Sequence, residues 1–235
     1  MKFIIKSTTF ALLLAASVAV FGQEEKVNKE LTGNIGADLV SSYVWRGMYQ
    51  AGASFQPAFS LSTSGFTLGA WGSSDFSVSF KEIDLYLLYT YKGFRVGVSD
   101  YWYTGEGESY YKHATGEHNF EASLGYTLPG KFPLSLDVYT LFFGNDDKDE
   151  EGKQFYSTYI SATYPFTVSK LDCEVGLRVT PYKSMYSDNK FDIVAISAKA
   201  TKKLQFSTDY SLPVFVELLL SPAQDNAFVI FGMQF

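Results

Sequence analysis

The chain has 235 residues, a formal net charge of −6, 17% aromatic residues and one cysteine. The acidic balance argues against nucleic acid as a partner, because phosphate binding needs a basic face. The lone Cys173 cannot form an internal disulfide, and among Leu171, Val175 and Leu177 it reads as a small hydrophobe.

Residues 1–22 read as a cleaved signal peptide. Lys2 and Lys6 form a basic start, and Thr8 to Val20 is an apolar run. That run falls short of the roughly 20 residues a spanning helix needs. Cleavage is expected after Gly22. No cysteine follows the cleavage point, which argues against a lipid anchor there. Without Lys2 and Lys6, 17 basic residues face 25 acidic ones, a charge of −8. Residues 23–32 form a polar lead-in.

From 33 to 235 the sequence repeats one theme, alternation followed by a turn. About twelve strands are expected, at 33–46, 54–63, 66–74, 82–91, 93–103, 118–128, 133–143, 154–164, 171–181, 191–203, 212–221 and 227–235. Most have the roughly 9–11 residues of a tilted spanning strand. In the fourth, Ile83, Leu85, Leu87, Tyr89 and Tyr91 share one face, and Glu82, Asp84, Tyr86, Leu88 and Thr90 the other. The sixth and ninth alternate in the same way. An apolar face turned to lipid and a polar face turned to a lumen define a transmembrane, antiparallel, up-and-down β-barrel.

Connections alternate in length. Ser64-Gly65, Lys92-Gly93, Pro129 to Phe132, Pro165 to Lys170 and Leu204 to Ser211 read as turns on the periplasmic side. Thr104 to Glu117 and Gly144 to Lys153 read as long outer loops. The parity places Phe235 in the periplasm. Tyr89, Tyr91, Phe94, Phe132, Tyr164 and Phe166 suit a periplasmic aromatic girdle. Tyr43, Trp45, Tyr101, Trp102, Tyr103, Phe142, Phe155 and Tyr156 suit an outer one. The last strand keeps Val229, Phe231, Met233 and Phe235 on one apolar face. It resembles the terminal signal that outer-membrane barrels present to their insertion machinery, with Phe231, Met233 and Phe235 carrying the likeness.

Residues 41–50, Ser-Ser-Tyr-Val-Trp-Arg-Gly-Met-Tyr-Gln, resemble the S-x-Y-x-x-R-G-x-x-Q hairpin of the TorF family of porin-like proteins. The likeness continues through Gln56-Pro57-Ala58, Ser64-Gly65-Phe66, Gly69 to Ser73 and Glu82 to Tyr86, covering about residues 34–103. It implies an outer-membrane barrel with a porin role and supplies no substrate.

With the polar face inward, Asp38, Arg46, Glu82, Asp84, Arg95, Glu121, Asp137, Asp172, Glu174, Arg178, Lys199 and Glu217 are the pore-lining candidates. Acids outnumber bases, which favours cations in a water-filled lumen. The competing arrangement is a lumen sealed by crossed ion pairs. Small inward residues (Gly69, Gly97, Ser99, Ser123, Gly125, Gly176) favour an open bore. Arg46 is expected at the top of the first strand, paired with a lumen carboxylate such as Asp84.

No catalytic site is expected. His113 and His118 read as solvated loop residues, and Ser109 and Glu108 nearby lack a nucleophile elbow. Asp147-x-Asp149-x-Glu151-Gly152 begins like a calcium loop, but Thr158 stands where the closing Glu belongs. No metal or cofactor is expected. The expected partners are outer-membrane lipid and lipopolysaccharide, the insertion machinery, and small hydrophilic solutes. A monomer and a homo-oligomer both fit. A non-conducting barrel acting through its long outer loops is the alternative function.

Overall fold

Twelve stretches of alternating sequence become the staves of one closed wall in the computed structural model, which describes residues 30–104, 110, 118–144 and 146–235. The signal peptide at 1–22 and lead-in residues 23–29 lie outside the described residues, as do Glu108, Ser109 and His113.

The strands are β1 (Thr32–Val40), β2 (Tyr43–Trp45), β3 (Met48–Ala51), β4 (Ser54–Thr63), β5 (Phe66–Asp75), β6 (Lys81–Tyr91) and β7 (Phe94–Thr104). They continue as β8 (His118–Thr127), β9 (Ser135–Phe143), β10 (Thr158–Val168), β11 (Leu171–Thr180), β12 (Asp192–Gln205), β13 (Ser211–Ser221) and β14 (Asn226–Gln234). The wall runs β1-β14-β13-β12-β11-β10-β9-β8-β7-β6-β5-β4 and closes on itself, each strand antiparallel to its neighbours. β2 and β3 form a separate two-stranded hairpin.

Exposure decides which side of the wall meets lipid. On β6 the leucine-rich face is outside: Ile83, Leu85 and Leu87 are 43–45% exposed, while Glu82, Asp84 and Tyr86 are 3–6% exposed. A water-soluble barrel would reverse these faces. The same inversion recurs on β11, where Val175 and Leu177 face out and Glu174 and Arg178 are buried. The fold is a transmembrane β-barrel whose backbone groups are satisfied by ring closure.

One end of the barrel is made of tight turns. Ser64-Gly65 and Lys92-Gly93 both hold two successive left-handed residues, φ 52° and 84°, then 48° and 85°. That is the type I′ geometry that follows the natural twist of a hairpin. Ring pairs mark the same end: Phe66 with Tyr89 at 4.6 Å, Phe94 with Tyr126 at 4.3 Å, and Phe132 with Tyr164 at 4.7 Å. The other end carries the longer connections, at 41–53, 76–80, 105–117, 144–157 and 181–191.

Three strand limits differ from the sequence reading. The eighth wall strand is Thr158–Val168, so its turn shrinks to Ser169-Lys170 and Pro165 stays within the strand. β12 runs on to Gln205, which shortens the connection that the sequence drew from Leu204 to Ser211. The largest change is in the first strand, which leaves the wall after Val40 instead of continuing to Arg46. Residues 43–51 turn into the barrel as the β2–β3 hairpin, so Tyr43 and Trp45 are 4% and 9% exposed inside rather than on an outer girdle. Tyr101 is buried in the interior as well.

Candidate functional site

The hairpin turns at Arg46-Gly47, with φ 51° and 81°, another type I′ pair. Arginine is an uncommon residue at positive φ, so the turn is held by what its side chain reaches. Gly47 has no room for a side chain. A Cβ there would lie 2.5 Å from the Val194 carbonyl oxygen and 2.6 Å from Ser221 Oγ. The tip therefore wedges against β12 and β13.

From that tip Arg46 reaches β8, on the far side of the barrel from β1. Its two terminal nitrogens donate to Glu121 Oε2 at 2.5 Å and Oε1 at 2.7 Å, a parallel fork. One of them also donates to Tyr186 Oη at 2.6 Å. Tyr101 Oη donates to Glu121 Oε1 at 2.8 Å. The guanidinium carbon lies 4.6 Å from the Trp45 ring, 4.8 Å from Tyr139, 4.6 Å from Tyr159 and 5.7 Å from Tyr186. Both partners of the ion pair have side chains 1% exposed. Burial raises the pKa of the Tyr186 phenol, so it remains a neutral hydroxyl beside the cation. The lumen carboxylate expected opposite Arg46, with Asp84 as the example, is Glu121. The register of a hairpin that leaves the wall cannot be inferred from wall alternation.

The hairpin is the centre of an apolar core inside the barrel. Tyr43, Trp45, Ala51, Tyr159, Tyr186 and Val194 pack together, joined by Met48, Trp71, Phe80, Tyr139 and Met185. Tyr43 meets Trp71 of β5, Trp45 meets Tyr101 of β7, and Tyr49 stacks on Phe228 of β14. The loop 181–191 folds in to supply Tyr186, whose carbonyl accepts from Gln224 Nε2 at 3.1 Å. Tyr186, fully buried, is a site residue that sequence reasoning missed. Its signal was an apolar pair, Met185-Tyr186, set between Lys183-Ser184 and Ser187-Asp188.

The other pore-lining candidates lie around and below this crossbar. Glu82 and Asp84 are 6% and 5% exposed on β6, and one Asp84 carboxylate oxygen is buried with no hydrogen-bond partner among the described residues. Arg95 grips Asp137 at 2.7 Å, with side chains 26% and 16% exposed. Arg178 lies 3.9 Å from Glu174 and donates to Ser197 Oγ. Lys199 sits 3.9 Å over the Phe215 ring, opposite Glu217 in register. Asp38 accepts from Gln234 Nε2 across the β1–β14 join at 3.3 Å. Asp172 is at the short-turn rim, its side chain 62% exposed and 3.9 Å from Lys203.

Three of the small inward residues do not hold open space. A Cβ on Gly69 would collide with the Tyr86 phenol, and one on Gly176 with the Arg178 guanidinium. At Gly125 it would meet the Asp137 carboxylate and Arg95. Each of these three glycines is a notch filled by a neighbouring side chain. At Gly69, Gly125 and Gly176 the expectation of an open bore is therefore corrected.

His118 is not a solvated loop residue. It opens β8 and is 8% exposed, on the outward side of the wall with Phe120 and Ala122. Its Nδ1 faces Asp100 Oδ1 at 2.9 Å and its Nε2 faces the Tyr110 carbonyl at 2.9 Å. The acidic loop spends its carboxylates on backbone: Asp146 accepts from the Ser157 amide, and Asp149 from the Glu151 and Lys153 amides. Among the described residues no group of acids, histidines or cysteine is arranged to hold a metal ion.

The sequence matches the family described as "Bacterial protein of unknown function (Gcw_chp)" over residues 23–212. Among curated proteins no sequence matches. Of solved structures, "KdgM porin in complex with disordered oligogalacturonate" aligns with a TM-score of 0.50 at 12% identity, covering 88% of this chain and 98% of that one. The likeness is one of fold, a porin-like barrel. "Salmonella typhi OmpF complex with Daunomycin" aligns with a TM-score of 0.38 at 9% identity, covering 83% of this chain and 64% of that one.

Proposed function

We propose that this chain, which belongs to the Gcw_chp family of bacterial proteins of unknown function, is an outer-membrane channel for small hydrophilic cations, gated by its own hairpin. The observation that carries the reading is the crossbar: a polar-lined barrel interrupted at one level by a segment that is not part of its wall. A sealed barrel needs only paired side chains across the bore. A separate hairpin, seated by side-chain packing and one two-pronged ion pair and not by the strand pairing of the wall, is a movable part.

The likeness of residues 41–50 to the TorF porin-like proteins fits this reading, since the quoted motif is the hairpin itself. The short-turn end, where the C-terminus lies, would face the periplasm, and the long-loop end the outside. Phe231, Met233 and Phe235 would then present the insertion signal from the periplasmic side. Cation preference follows from the charge balance. Arg46, Arg95 and Arg178 are each matched to a carboxylate, leaving Glu82 and Asp84 without a basic ion-pair partner among the described residues. Oligogalacturonate, the carboxylate-bearing sugar named with the KdgM porin, is a poor fit to such a lumen.

The second reading, a non-conducting barrel acting through its outer loops, draws on the apolar core around Trp45 and Tyr186. Planar-bilayer recording separates the two. The channel reading expects discrete steps, brief in the native protein, with potassium favoured over chloride. Silent bilayers from folded, heat-modifiable protein would leave only the sealed barrel.

A further inference from the structure

The Arg46 pocket has the composition of a ligand site, and the barrel wall builds most of it. Glu121 comes from β8, Tyr101 from β7, Tyr139 from β9, Tyr159 from β10, and Tyr186 from the loop that enters after β11. Only Arg46 and Trp45 belong to the hairpin. Beneath the hairpin the Glu121 side chain is 1% exposed, and when the hairpin withdraws the wall keeps that carboxylate among its phenols, with Glu82 and Asp84 in the same interior. Losing Arg46 leaves that carboxylate a vacant two-pronged acceptor, which another cation can fill.

We infer that this carboxylate–phenol box is the recognition site for solutes bearing a guanidinium group, and that Arg46 is a resident stand-in for them. The inference rests on the channel reading for how such a solute arrives, but not for how it binds. Three features select a guanidinium over a sodium ion or an alkylammonium. The Glu121 oxygens are engaged in parallel by two nitrogens, at 2.5 and 2.7 Å, which a single ammonium cannot reproduce. The wall's Tyr139 and Tyr159 rings lie 4.8 and 4.6 Å from the guanidinium carbon, a spacing suited to a flat, weakly hydrated cation. Arg46 Nε has no hydrogen-bond partner among the described residues, so the box reads the terminal fork and not the rest of the arginine side chain. Arg46 also pays for its seat with a left-handed backbone at φ 51°, a strain that a free solute does not carry. Competition between solute and hairpin then couples binding to opening: the guanidinium that enters is the one that releases the crossbar.

The variant that tests this is Arg46→Gly, because glycine is at ease in a type I′ turn and leaves a vacancy shaped like the lost fork. The probes are agmatine, which carries a guanidinium, and cadaverine, a diamine of similar length. With Trp71 and Trp102 replaced by Phe, Trp45 fluorescence reports the box in detergent-folded protein. Arg46→Gly is expected to bind agmatine at least tenfold more tightly than cadaverine, and adding Glu121→Gln should abolish the difference. Equal affinity for the two probes, or a preference that survives Glu121→Gln, overturns the inference. If Arg46→Gly loses the heat-modifiable mobility of a folded barrel, the protein with native Arg46 decides. Agmatine should expose Trp45 to acrylamide quenching where cadaverine does not, and equal quenching would again overturn it. Bilayer conductance is recorded separately. Selective binding without conductance retires the channel and leaves the site standing, while conductance without selective binding does the reverse.

Discussion

Single residues set what the interior can be. Tyr86 lies flat because Gly69, its cross-strand partner on β5, has no side chain. Arg178 folds over Gly176 in the same manner. The sequence shows these glycines plainly, but not their use: a small residue on a lumen face looks the same whether it borders water or a neighbour's ring. The notch makes a sharp prediction. Gly69→Ala should overpack the wall and destabilise the barrel by about 1–3 kcal/mol. Tyr86→Ala should remove most of that penalty, so the double variant will show strong non-additivity in urea unfolding from lipid vesicles. Additive losses would mean that Tyr86 has other places to lie.

Among the elements, the wall strands were legible and the hairpin was not. Period-two alternation and Gly-marked turns are local signals, and eleven of the strands after the first begin and end within a few residues of where the alternation puts them. Residues 41–46 also read as strand, with Tyr43 and Trp45 as its girdled outer end. What sends them inward is not local. Val40 is the last β1 residue paired to β4, Gly47 fits only against Val194 and Ser221, and Arg46 finds its counter-charge on β8. Ser221 and Glu121 are far off in sequence, so no window around residue 46 contains them. The paired signs of an element that leaves the wall were Ser41-Ser42 and Arg46-Gly47, a polar break and a two-residue turn too close together for a spanning strand. As a separable element, the hairpin should be removable. Replacing Ser42–Gly52 with a short Gly-Ser turn is expected to keep the folded, heat-modifiable barrel and raise single-channel conductance several-fold, with long-lived open states. Loss of folding would show that the crossbar is part of the wall's stability and not a gate.

At the scale of the whole molecule, the crossbar and the closure of the ring are one decision. β1 supplies chain to both. It pairs with β4 along its full length, from Thr32↔Ser62 to Val40↔Ser54, but with β14 only over Asp38↔Gln234, Leu39↔Met233 and Val40↔Gly232. Four flanking bonds extend that seam: Ala37 and Phe235 exchange amides with carbonyls, and Ser41 bonds Phe231 through both its amide and its hydroxyl. Beyond Ser41 the chain has gone inside, and β14 continues from Ile230 to Asn226 held by β13. Mechanically, this makes the join the hem along which the fabric should tear. Pulled from the C-terminus by a cantilever, β14 must break a short row toward β1 and a longer one toward β13, whereas an interior strand such as β7 is stitched along nearly its whole length on both sides. The first rupture is expected to release one strand at low force, with later peaks coming off in hairpin pairs. Adding a cross-link between positions 37 and 235 should erase that first event and leave the later ones in place. The arginine that crosses the bore thus leaves its mark at a distance, as a weak selvedge where the cloth of the barrel was cut to make its bolt.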